Sequence, residues 1–106
     1  MSSTKEETVS GEPKQLRRKR SAAKGAITKK IKELTELKTG WRSLSEANVR
    51  AQEFTDVVNK FYTAHDHYHA TIEDNYDRED SNEYLQIEDQ RIQNFQQTLS
   101  EWLANF

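Results

Sequence analysis

Nine Lys and Arg side chains fall in residues 14–32, KQLRRKRSAAKGAITKKIK, with no Asp or Glu among them. They are Lys14, Arg17, Arg18, Lys19, Arg20, Lys24, Lys29, Lys30 and Lys32. The chemistry available to such a stretch is electrostatic. Cations that neutralise phosphates release condensed counterions, which gives strong, salt-dependent binding to an RNA or DNA backbone. No aromatic residue is interleaved to stack on bases, so sequence-specific readout is not expected. The same charges suit an anionic membrane surface, a nuclear import signal through Arg17–Arg20, or simple pairing with acidic residues of the same chain. The membrane is the poorest of these fits, because few large apolar residues accompany the charges and no lipidation signal is present.

The other concentration of reactive groups is His65-Asp66-His67-Tyr68-His69. His65 and His69 stand four apart, a spacing that binds Zn²⁺ from one helix face. His67 points away from that face and only Glu73 offers itself as a further ligand, so the plainer reading is a polar group in a helix seam. A histidine there makes helix pairing sensitive to pH. Nothing else supports catalysis. Cysteine is absent, which removes disulfides, thiol nucleophiles and Cys-ligated zinc. Three scattered glycines make no phosphate-binding loop. The acidic stretch Glu73–Glu83 lacks the glycine and the bidentate Glu of an EF-hand. The expectation is a chain that is not an enzyme, with no catalytic residue, metal, cofactor or small-molecule substrate.

These groups must be positioned by a thin framework. The 106 residues suffice for one small domain, and only 33% are hydrophobic against 32% charged. Such a composition can fill a narrow seam between helices more readily than a wide core. Residues 1–42 hold 12 Lys/Arg against 5 Asp/Glu, or +7, and residues 43–106 hold 4 against 13, or −9. One end therefore favours polyanions and the other repels them. With no long apolar run and no signal-peptide region, the chain reads as soluble, intracellular and cytoplasmic.

Residues 1–13 are polar and aperiodic and are expected to form a disordered leader, followed by a single helical domain over 14–106. Leu16, Ala23, Ile27, Leu34, Leu37, Trp41 and Leu44 alternate by threes and fours once Arg20 and Lys30 are admitted as polar members, which predicts a helix over about 15–39. Gly25 weakens it, so the part before Gly25 is expected to need a partner. Thr39-Gly40 suits a left-handed C-cap, with one helix running on through Gly40 as the alternative. Ser43-Leu44-Ser45-Glu46 matches a capping box. Leu44, Ala47, Ala51, Phe54, Val58, Phe61, His65, Tyr68 and Ile72 then form a heptad seam over about 44–75. Asp74 to Asn82 reads as a turn with Ser81 or Asp80 as the next N-cap. Leu85, Glu88, Ile92, Phe95, Leu99, Trp102 and Phe106 give a third seam over about 81–105, still in register at the last residue, so that helix is expected to be cut short. The predicted architecture is all-α: an antiparallel helical hairpin or coiled coil with a third, basic N-terminal helix.

The element Leu16-Arg17-Arg18-Lys19-Arg20-x-x-x-Lys24-Gly25-x-Ile27-Thr28-Lys29, placed ahead of a long acidic helical pair, resembles the N-terminal region of Gag-like polyproteins of BEL/Pao-type LTR retrotransposons. The resemblance spans roughly residues 14–104, with the pair at Ala47–Ile72 and Glu83–Leu103. It implies a structural role in a capsid-forming polyprotein, or in a gene derived from one. Zinc knuckles, protease and polymerase segments are not represented, so packaging by a knuckle is not implied. The expected function is non-catalytic self-association, with Phe54, Val58, Phe61, Tyr68, Ile72, Leu85, Ile92, Phe95, Leu99 and Trp102 as core or interface. The alternative is a nucleic-acid-binding protein that uses the 14–32 arm. The expected partners are further copies of the chain and an RNA or DNA backbone.

Overall fold

A computed structural model describes residues 12–106; residues 1–11, most of the expected leader, lie outside the described residues. Glu12 is extended, and Pro13 opens helix α1 (Pro13–Leu37) at the position where its missing N–H costs nothing. A single 3₁₀ turn (Lys38–Gly40) follows, then α2 (Leu44–His69) and α3 (Asn75–Ala104). No strand occurs among the described residues.

Each boundary has a local cause. α1 runs unbroken through Gly25 and ends at Leu37, two residues short of the expected end. Gly40 adopts no left-handed conformation; the Trp41 N–H closes the 3₁₀ turn on the Lys38 carbonyl at 3.2 Å. Chain direction changes between Gly40 and Leu44, so α1 and α2 are separate helices. Ser43 caps α2, its Oγ accepting from the Glu46 N–H at 3.1 Å. The Glu46 carboxylate returns the favour one residue early, accepting from the Arg42 N–H at 3.0 Å. α2 stops at His69, short of the expected 75, where the Thr71 hydroxyl donates to the Tyr68 carbonyl at 2.7 Å.

The expected turn at 74–82 is mostly helix. Asp74, not Ser81 or Asp80, is the N-cap, its carboxylate accepting from the Asp77 N–H at 3.1 Å. Acidic side chains in the opening turns face the positive end of the helix dipole, so residues that look like turn formers instead favour a helix start. Arg78 anchors the turn by donating from Nε to the Ile72 carbonyl at 2.9 Å. α3 ends at Ala104, and Phe106 is exposed.

The helices run up, down and up. Arg20 near the start of α1 meets His65 near the end of α2 and Ser81 near the start of α3. At the other end Trp41 meets Trp102, with ring centroids 6.0 Å apart. Between them Ile27, Leu34, Phe54, Phe61 and Ile92 are sealed from solvent, drawn from all three helices. α1 is thus a full wall of the core. It lies closest to α2, whereas ring pairs such as Phe54–Phe95 (4.9 Å) and Phe61–Tyr84 (6.3 Å) stand between α2 and α3. Of the expected core, Phe54, Val58, Phe61, Ile72, Ile92, Phe95 and Leu99 are buried, while Tyr68, Leu85 and Trp102 are half-buried. Leu44 lies largely outside the seam, because it is the first residue of its helix.

Candidate nucleic-acid interface

The basic residues of α1 divide sharply. Lys14, Arg17, Arg18, Lys19, Lys24, Lys29 and Lys32 are exposed. At 100° per residue, Lys14, Arg18, Lys29 and Lys32 lie opposite the buried stripe of Leu16, Ile27 and Leu34. Arg17 and Lys24 flank that solvent face on one side and Lys19 on the other. The face is about 27 Å long at 1.5 Å per residue. It holds no acid until Glu33 and presents only Gln, Ala, Gly, Ser and Thr between the charges.

Arg20 and Lys30 do not belong to this face. Lys30 reaches Glu33 at 2.8 Å and Glu53 at 3.4 Å, and these carboxylates hold its ammonium above the usual lysine range. Arg20 is only 5% exposed and corrects its assignment as a polyanion ligand. Its Nη1 donates to Ser81 Oγ at 3.1 Å and lies 3.3 Å from His65 Nδ1. The guanidinium sits over Tyr84 at 3.8 Å and Tyr68 at 4.5 Å, so ring faces take the place of a carboxylate. Its Nε has no acceptor among the described residues. The position follows from periodicity, since Arg20 stands in the seam between Leu16 and Ile27.

The histidine cluster closes the same end. His69 Nδ1 lies 3.0 Å from Ser81 Oγ, and the His65 and His69 rings stack at 5.4 Å. Burial first, then the neighbouring Arg20 and His69, hold the His65 imidazole below its ordinary value of 6.5. The charged and titratable groups acting on it are Arg20 from α1, Asp66 and His69 from α2, and Asp89 from α3. The two acids do not reverse the shift. Folding therefore favours neutral His65: this contribution is complete above about pH 6.5 and is lost as pH falls through the lower native value. The midpoint of thermal unfolding is expected to fall from pH 7.5 to pH 5, and His65→Gln should flatten the dependence. An unchanged wild-type midpoint would contradict it.

Few direct ion pairs tie α1 to the acidic half among the described residues. Among the described residues, Lys30–Glu53 is the sole ion pair that joins α1 to the rest of the chain. Two further groups were not legible as site residues in the sequence. Glu88, only 1% exposed, is held by Arg91, which also donates from Nη2 to the Lys24 carbonyl at 3.4 Å. Tyr62 donates to Asp89, and burial together with that carboxylate pushes its phenol up to about 12.

Between α1 and α2 lies an open groove of about 340 Å³ lined by Lys19, Asn59, Lys60, Thr63, Ala64 and His67. Among the described residues no group of three or more His, Asp or Glu is arranged to hold a metal, and no helix is long and apolar enough to cross a membrane. No family model, no curated protein and no solved structure matches the chain.

Proposed function

We propose that this chain is a non-catalytic helical module that binds the phosphate backbone of nucleic acid through the solvent face of α1. The observation that carries the reading is the exposure of seven Lys and Arg side chains on one helix that the acidic half leaves largely unpaired among the described residues. The absence of large apolar groups between those charges favours nucleic acid over a lipid surface. The test is affinity for a single-stranded oligothymidylate against salt. Replacing Arg18, Lys29 and Lys32 together with Gln is expected to reduce the slope of log K against log[salt] by about 2, at ~0.7 per phosphate contact, with helicity unchanged. A slope that does not move would refute the reading. Arg20 must be left in place in any such variant, because it belongs to the fold.

Self-association is a second reading, favoured by one observation. Leu37, Leu44 and Phe106 are each about half exposed at the end of the bundle where Trp41 and Trp102 meet. The heptad seams themselves no longer argue for it, since α1 covers them. A retroelement Gag-like origin rests on the basic Leu16–Lys29 element and on the order of the helices, and agrees with either reading.

A further inference from the structure

The 43–106 half carries four basic residues in a segment of charge −9. Three are engaged within the fold: Arg50 with Glu53 at 2.8 Å, Arg78 with the Ile72 carbonyl, and Arg91 with Glu88. Lys60 is the fourth, and among the described residues it forms no ion pair. It stands with Lys19 of α1 and His67 of α2 along the same groove. Acids are plentiful on the neighbouring surface, yet no carboxylate lines this groove. The nearest acid in sequence on that stripe is Asp56, one turn along α2, and it accepts from Gln52 Nε2 at 3.1 Å.

Two lysines from different helices line one trough together with Ala64, Thr63 and Asn59. Two like charges held together without an intramolecular counterion form a site for an external anion. We propose that this groove seats the phosphodiester backbone of a single-stranded nucleic acid, so that the strand bound by α1 passes between Lys19 and Lys60 and is gripped by both helices. The inference rests on the reading of α1 given above and places part of the contact on the acidic half of the molecule. α1 alone offers cations along one rod. The groove adds a second bank of donors, from Lys60, Asn59 and His67, and turns a line of contact into a channel.

The test compares two single substitutions that change net charge equally: Lys60→Gln in the groove and Gln93→Glu on the exposed surface of α3. Each is titrated with fluorescent oligothymidylate across a salt series, with circular dichroism as the folding control. Lys60→Gln is expected to lower the slope by ~0.7 and the affinity about fivefold near ~0.1 M salt, the loss of one phosphate contact. Gln93→Glu is expected to leave the slope unchanged. If the two variants behave alike, the groove is not the seat, whereas loss on replacing Arg18, Lys29 and Lys32 would still uphold the role of α1. If the wild-type chain binds no oligonucleotide, or binds only phosphatidylserine vesicles, both the groove and the α1 reading fall.

Discussion

Phe61→Ala is expected to lower stability by about 3–5 kcal/mol, the range for truncating an enclosed aromatic side chain. Phe61 is fully buried and touches Tyr62, His65 and Tyr84 across α2 and α3. The void would open beside the Arg20–His65 layer, one helical turn from His65. Domains of this size gain or lose about 4–8 °C in midpoint per kcal/mol, so the variant should melt tens of degrees below the parent or be unfolded at the start of the scan. A loss under about 1 kcal/mol would show that the helices do not close around this ring. Denaturant titration with fluorescence of Trp41 and Trp102 gives the measurement.

Removing Arg91 should be nearly as damaging for a different reason. Glu88 has no access to water, and its carboxylate is satisfied by Arg91, itself about one-third exposed. Arg91→Met leaves the buried Glu88 carboxylate with its counterion gone, a loss of about 3 kcal/mol at neutral pH. The double variant Arg91→Met, Glu88→Leu removes both charges and is expected to recover most of that loss, because apolar groups of similar size replace the pair. A double-mutant cycle reads the coupling directly. Additive single effects would mean that the carboxylate finds another partner or water.

The heptad runs made the fold legible. Steps of three and four from Leu44 to Ile72 and from Leu85 to Leu99 placed most of the core correctly, since burial along a helix follows from spacing alone. Helix ends were harder. Asp74, Asp77 and Asp80 are equally suited to a turn and to a helix N-terminus; the Asp74 cap and Arg78 reaching Ile72 favour the helix locally, and Arg20 reaching Ser81 ties that helix start to α1. The continuity of α1 likewise depends on partners outside its own sequence. Gly25 weakens an isolated helix, but Leu16, Arg20 and Ile27 dock against the other two and offset that cost.

The basic arm was legible as a charge but not as a surface. Nine cations in 19 residues mark a concentration of positive charge, yet composition does not say which of them are spent inside. Periodicity does: Arg20 and Lys30 fall on the apolar stripe, and those two are withdrawn from solvent or paired. Lys60 carried no signal in the sequence, since a single lysine in an acidic helix is unremarked until the partners of Arg50, Arg78 and Arg91 are known.

The layer formed by Arg20, His65, His69 and Ser81 also governs alignment. Seams that repeat every seven residues are nearly degenerate, because α1 slid by one heptad would still bring apolar groups to apolar groups. Slid that way, Arg20 would arrive at the level now held by Ile27, inside the greasy cluster, where Ser81 and the two ring faces are out of reach. A stranded guanidinium costs several kcal/mol, more than the hydrophobic contacts retained by slippage would return. One ill-matched layer therefore acts as a key, admitting a single stagger of the three rods among several that oil alone would accept.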